Sequence, residues 1–223
     1  MKKKSSKILK EIWKQVPPDY YQKGVKENLF QKIWHTKKWN SMEFFFKRLS
    51  KKPLAILDIG CASGYLTSQI ASFFSSSKIF GVDSYKDAVE FGKRTYPKIQ
   101  FKYADAHKLP FKNEVFDLIT CIETLEHLEN PKGAVSEIYR CLKTNGKALI
   151  GQDTDNWLFK IIWVVWTRTR GKVWQDSHLH PYGPNYLEDL IKSCGFKIVD
   201  RKFSHLGMEV FFFVEKSKKR SSI

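Results

Sequence analysis

The stretch Leu54 to Tyr65, LAILDIGCASGY, constrains this chain more than any other. Apolar residues from Leu54 to Leu57 run into an acid, Asp58, and then into a loop of small residues from Gly60 to Gly64. An apolar run without alternation reads as a strand covered on both faces, as in a parallel sheet. Tyr65 to Phe74 carries a helical pattern, so the loop joins a strand to a helix. Small residues at such a junction permit a sharp turn and let a ligand lie against the backbone. Open α/β sheets bind their ligands there, beyond the carboxyl ends of the strands.

The spacing narrows the choice of ligand. A dinucleotide fingerprint, G-x-G-x-x-G, would need a glycine at position 65, which is Tyr65, and the lysine of a P-loop is absent. The pattern is D-x-G-x-A-x-G, which does not suit a pyrophosphate, and a plain tight turn remains the alternative. A second strand, Lys78 to Asp83, ends in an acid 19 residues after Gly64. A carboxylate at that place can accept both ribose hydroxyls of an adenosine-containing ligand. A third strand, Lys98 to Tyr103, leads into Asp105, which can accept from an exocyclic adenine amine, and Phe116 to Ile122 reads as a fourth. Asp58, Asp83 and Asp105 thereby form a series along one edge of a sheet.

With these residues in view, the chain resembles the class I S-adenosylmethionine-dependent methyltransferases, in particular the ubiquinone/menaquinone-type group. The matching segments are 57–66, 81–93, 104–111 and 115–150, in the family's order and over about half the chain. The resemblance implies a Rossmann-like, doubly wound, mostly parallel seven-stranded sheet with an antiparallel C-terminal strand. It also implies S-adenosylmethionine as cofactor. Asp58 and the loop residues Gly60, Cys61, Ala62 and Gly64 would hold the methionine end, Asp83 with Ser84 the ribose, and Asp105 with Ala106 the adenine. Ile122, at the end of the fourth strand, joins that set. Ala62 stands where the family usually has a glycine, which is tolerable if its backbone angles are not glycine-only.

A length of 223 residues suits one domain with a substantial core. The expected divisions are a helical cap over 1–52, a cofactor-binding core over 53–151, and a substrate-side insertion with a C-terminal hairpin over 152–223. A net charge of +16, concentrated at Lys2 to Lys4, at Arg168, Arg170 and Lys172, and at Lys216 to Arg220, favours anionic partners or simply solubility. Cys61, Cys121, Cys141 and Cys194 form no C-x-x-C pair and read as reduced thiols of a cytoplasmic protein. The basic start lacks the apolar run of a signal peptide.

Before the first strand, helical patterns cover Ile8 to Val16 and Asn28 to Leu49, separated by Pro17 to Tyr21. Segments of this kind lie over the cofactor pocket in the resembled family, which makes Tyr20, Tyr21, Trp34 and His35 candidate lining residues beside the alternative of core packing. Asn130 and Pro131 open a helix that Asn145-Gly146 stops, before a fifth strand, Lys147 to Gly151. Trp157 to Trp166 is apolar at nine of ten positions, too short to span a bilayer. It reads as a core helix, a lid, or an interfacial element resting on an anionic membrane. Pro184 to Cys194 is the last helix, followed by a strand pair, Phe196 to Phe203 and Glu209 to Glu215.

In methyl transfer the sulfonium is an activated leaving group, so the protein has mainly to align the acceptor and exclude water. An oxygen or carbon acid that needs a base points to His180, His127 and His178, in that order. Glu123, Trp157 and Tyr182 complete the acceptor-side candidates, and no metal site is expected. The Asn/Asp-Pro-Pro-Tyr/Phe motif of amine-methylating enzymes is missing after the fourth strand. The expected function is methyl transfer to a small-molecule, lipid-linked or saccharide acceptor at O or C. RNA methylation and a non-catalytic partner protein are the alternatives, with a monomer or homodimer as the assembly.

Overall fold

The computed structural model describes residues 6–169, 171–174 and 183–217. Helices α1 (Ser6–Gln15), α2 (Tyr20–Glu27) and α3 (Leu29–Phe46) precede the sheet. The alternating core follows as β1 (Ala55–Ile59), α4 (Tyr65–Phe73), β2 (Lys78–Asp83), α5 (Lys86–Thr95), β3 (Gln100–Tyr103) and β4 (Phe116–Ile122). After these come α6 (Pro131–Cys141), β5 (Leu142–Asp153), α7 (Trp157–Arg168), α8 (Pro184–Ser193), β6 (Lys197–Ser204) and β7 (Glu209–Glu215).

The strands form one sheet in the order β3-β2-β1-β4-β5-β7-β6. Only β7 runs against its neighbours, β5 and β6. The chain winds outward from β1 through β2 to β3, then returns to place β4 on the other side of β1. Strand order therefore reverses between β1 and β4, which opens a crevice at their carboxyl ends.

Alternation within the strands builds two cores. Leu57, Ile119 and Phe212 point to the face covered by α6 and α8, where they meet Val135, Ile138 and Leu187. Ile56, Leu118 and Phe211 point to the opposite face, against Met42 and Phe45 of α3 and Ile70 of α4. All twelve are at most 1% exposed, which is why these strands read as continuous apolar runs.

Several boundaries differ from the sequence reading. Tyr20 and Tyr21 begin a helix, α2, where a linker is expected, and this helix buries no residue fully. Helix α6 is capped as expected, with Asn130 accepting from the Gly133 amide at 3.1 Å, yet it ends at Cys141. Asn145 and Gly146 lie inside β5 and exchange backbone hydrogen bonds with Lys216, at 2.8 and 3.1 Å. Asn145 takes a φ of 64°, so it shapes a bend in the strand and not the stop of a helix.

Candidate active site

The loop after β1 is held by its glycines and by Asp83. Gly60 has a φ of 74°, and a Cβ there would stand 2.0 Å from Thr124 Oγ1; Gly64 has a φ of 85° and lies against the Phe101 ring. The amides of Gly60 and Cys61 donate to the Val82 carbonyl at 2.9 and 3.1 Å, stitching the loop to β2. Asp83 Oδ2 accepts from the Ala62 amide at 2.7 Å and Oδ1 from the Tyr85 amide at 2.8 Å. Burial raises the Asp83 pKa, while these amides pull against the shift. Ala62 has a φ of 45°, in the left-handed region that favours glycine. The loop keeps its glycine-like path with an alanine in it, at a cost of about 1 kcal/mol.

Asp58 is placed differently from the expected role. It is 3% exposed, and its carboxylate accepts from Thr67 Oγ1 at 2.6 Å and from Thr120 Oγ1 at 2.7 Å. Burial pushes its pKa up to about 6. Both oxygens are thereby engaged beneath the loop, tying β1 to β4 and α4 outside the cavity wall. Cys61, Gly64 and Ile122 also lie behind the wall. Cys61 and Ile122 pack into the core beside α4, and burial raises the Cys61 thiol.

A cavity of about 390 Å³ opens at the switch point. Gly60, Ala62, Asp83, Ser84, Asp105 and Ala106 line one half, so the expected acids of β2 and β3 meet in one space. Asp105 Oδ1 accepts from the His107 amide at 2.9 Å and faces His107 Nδ1 at 2.7 Å. His107 Nε2 is buried without a hydrogen-bond partner among the described residues. A buried polar atom of that kind marks a position where a ligand can complete the bonding.

The other half is aromatic and acidic. Tyr20, Tyr21, His35, Glu123 and His127 line it. Trp157 does not: it is 72% exposed on the outer side of α7. Phe159, Ile162, Trp163 and Trp166 face inward instead, at the i, i+3, i+4, i+7 spacing of one helix face. Trp13 and Trp174 close the space, each in edge contact with the other at 5.4 Å, and Trp13 meets His127 edge-on at the same distance. His178, His180 and Tyr182 lie outside the described residues. No group of described residues is arranged to hold a metal ion.

Beneath this half sits a buried ionic cluster that sequence reasoning missed. Lys38, on α3, is 2% exposed and pairs with Glu123, whose backbone leaves β4 at a φ of 49°. Its ammonium also stands 3.9 Å from Glu209 at the start of β7, which in turn faces His205 Nδ1 at 2.9 Å. Burial pulls the Lys38 pKa down, but the charges of Glu123 and Glu209 outweigh it and leave it raised. Burial raises Glu123 likewise, and Lys38 overrides that to hold it near 2. Glu126 also lines the cavity, 3% exposed, with both carboxyl oxygens lacking a hydrogen-bond partner among the described residues. Burial pushes its pKa up to about 8, so it is protonated at neutral pH. His35 is pushed the other way, to about 3, by burial and by the Lys38 charge.

The N-terminal helices close over the site. Tyr85 donates from its hydroxyl to the Val16 carbonyl at 2.8 Å. Gln22 Nε2 donates to the Ser63 carbonyl at 3.3 Å, and the Ser63 hydroxyl donates back to Gln22 Oε1 at 3.0 Å. The N-terminal helices thus bond directly to the loop after β1.

Residues 57–150 match the family model of the methyltransferase domain. Residues 57–150 form a methyltransferase domain. An uncharacterized methyltransferase of Schizosaccharomyces pombe is 34% identical over 53% of this chain and 45% of its own length. An O-methyltransferase of Pyrenophora dematioidea is 34% identical over 43% of the chain and 38% of its own length. The chain thus spans less than half the length of these curated relatives. A solved S-adenosylmethionine-dependent methyltransferase of Methanosarcina mazei covers 79% of this chain and 98% of its own, with 18% identity and a TM-score of 0.63. That likeness is one of fold.

The cofactor of this methyltransferase class is S-adenosylmethionine, and the residues present fit it. Gly60 and Ala62 present backbone to the cavity, Asp83 keeps acceptor capacity beyond its amide bonds for ribose hydroxyls, and His107 Nε2 has an open bonding position beside Asp105.

Proposed function

We propose that the chain transfers the methyl group of S-adenosylmethionine to an oxygen or carbon atom of a small-molecule or lipid-linked acceptor. The observation that carries this reading is the cavity's charge. The chain has 39 lysines and arginines, and none is among the described residues that line the cavity. A wall of indoles, phenols and carboxyls suits an acceptor whose body is apolar and whose reacting end bears no negative charge. It suits RNA poorly, since phosphates draw lysine and arginine to the surface that holds them. Relatives named as O-methyltransferases favour oxygen over carbon.

The cofactor supplies a methyl group on a positively charged sulfur. Asp83 orients the ribose, Asp105 and His107 the adenine edge, and the Gly60 to Gly64 loop the methionine end. The aromatic walls exclude water and hold the acceptor in line, which is most of what such a displacement requires. Glu126, protonated, donates a hydrogen bond to an acceptor oxygen. His127, which lines the acceptor half in edge contact with Trp13, takes the hydroxyl proton of such an acceptor.

The test is transfer of label from methyl-tritiated S-adenosylmethionine into fractionated cell extract. Label in the organic-soluble fraction, lost in Asp83→Ala, supports the reading. Label confined to RNA overturns it.

A further inference from the structure

Helix α7 is apolar on both of its sides. One side lines the cavity; the other carries Trp157, Ile161, Val164 and Val165, at 72%, 55%, 42% and 58% exposure. These follow i, i+4, i+7, i+8 and so share one face. The start of α3 adds Leu29 and Ile33, at 72% and 48%. Phe30, between them, stands 5.7 Å from Trp166 by ring centroids, which joins α3 to the rim of α7. Leu206 is 83% exposed at a φ of 57°, and a Cβ on the glycine after it would stand 3.5 Å from the side chain of Asn156, the cap of α7. Among the described residues, eight of fourteen exposed large hydrophobic side chains fall in this one region.

Exposed cations border it: Lys160, Arg168 and Lys172 on and after α7, and Lys26, Lys32 and Lys37 on α2 and α3. Asp155, bonded to Lys160 at 3.1 Å, and Glu27 are the acids interspersed among them. No described helix is long and apolar enough to cross a membrane. An apolar helix face with tryptophan, bordered by lysine and arginine, matches the chemistry of a surface that lies in the interface of an anionic bilayer.

We propose that the outer face of α7, with the start of α3 and the Leu206 tip, docks the protein onto an anionic lipid surface. This rests on the lipid-linked branch of the function proposed above and gives it a geometry. The helix that contacts the bilayer with one side forms the cavity wall with the other, so an acceptor leaving the bilayer beside α7 passes directly to the methyl-transfer site. A phosphate in such an acceptor stays at the basic rim, and its uncharged end enters the cavity.

The test is flotation of the full chain with vesicles of phosphatidylcholine alone and with about a third phosphatidylglycerol, at low and high salt. Binding to the anionic vesicles, at least tenfold above the neutral ones and falling with salt, is expected. Ile161→Asp with Val165→Asp, both outside the cavity lining, should abolish flotation while leaving the calorimetric affinity for S-adenosylmethionine unchanged. Equal binding of the double variant, or no binding by the wild type, overturns the proposal. So does sedimentation showing that the wild type self-associates through this face and the double variant does not. Intact cofactor binding in the same preparations confines any such failure to the docking surface.

Discussion

The two halves of the cavity are built in different ways. The cofactor half is made of strand ends and their loops: Gly60 and Ala62 after β1, Asp83 at the end of β2, Asp105 beyond β3. Its key contacts, such as Asp83 to the Ala62 and Tyr85 amides, are to backbone. The acceptor half is made of side chains from segments far apart in sequence: Trp13 of α1, Glu123 and Glu126 after β4 and Trp163 of α7 line it, with Lys38 of α3 and Glu209 of β7 buried beneath. Backbone-built sites follow from the fold. Sites built from distant side chains depend on burying groups that would rather be in water, and there they hold strain and specificity together.

The first way to break that comparison is Lys38→Met. Removing the cation leaves Glu123 and Glu209 buried without it, so stability should fall by about 4 kcal/mol in urea denaturation. A loss under 1 kcal/mol would mean that the cluster carries little of the acceptor half. The second is pH. Glu126 has its pKa raised from the usual 4.5 to about 8 by burial, so the folded state holds a proton that the unfolded state has released. Stability relative to Glu126→Gln should therefore fall as pH rises from about 5 to about 8, by roughly 1.4 kcal/mol per pH unit, then level. A flat difference would place Glu126 in water.

The third prediction concerns the other half. Asp83→Ala should weaken S-adenosylmethionine binding about a hundredfold, the worth of roughly 3 kcal/mol of charge-assisted hydrogen bonding, with little change in the ionic cluster. The smallest effect is Ala62→Gly. Relief of the left-handed strain at φ 45° is partly offset by the freedom glycine gains in the unfolded chain, so melting should shift by less than about 1 kcal/mol.

The same contrast explains what was legible in the sequence. The strand, loop and acid at Asp58, Asp83 and Asp105 are local, and a family pattern spanning residues 57 to 150 fixes their order. Even there, Asp58 reads as a ligand contact because nothing in the sequence shows Thr67 and Thr120 taking both of its oxygens. A lysine at 38 reads as a solvated helix face, since its burial depends on Glu123 and on Glu209, 171 positions further on. Glu126 was overlooked beside His127 for the same reason. The apolar run at 157–166 is visible in the sequence, but which of its sides faces inward depends on where β5 ends and how α3 lies, so Trp157 faces out where Trp163 lines the cavity.

S-adenosylmethionine is expected to occupy the space between the β1 loop, Asp83 and Asp105. Isothermal titration of the full chain with S-adenosylmethionine and with its demethylated product tests this most directly. The account predicts saturable binding of both, one molecule per chain, lost on Asp83→Ala in a variant that still unfolds cooperatively. Absence of binding by the wild type, or equal affinity in the variant, would contradict it.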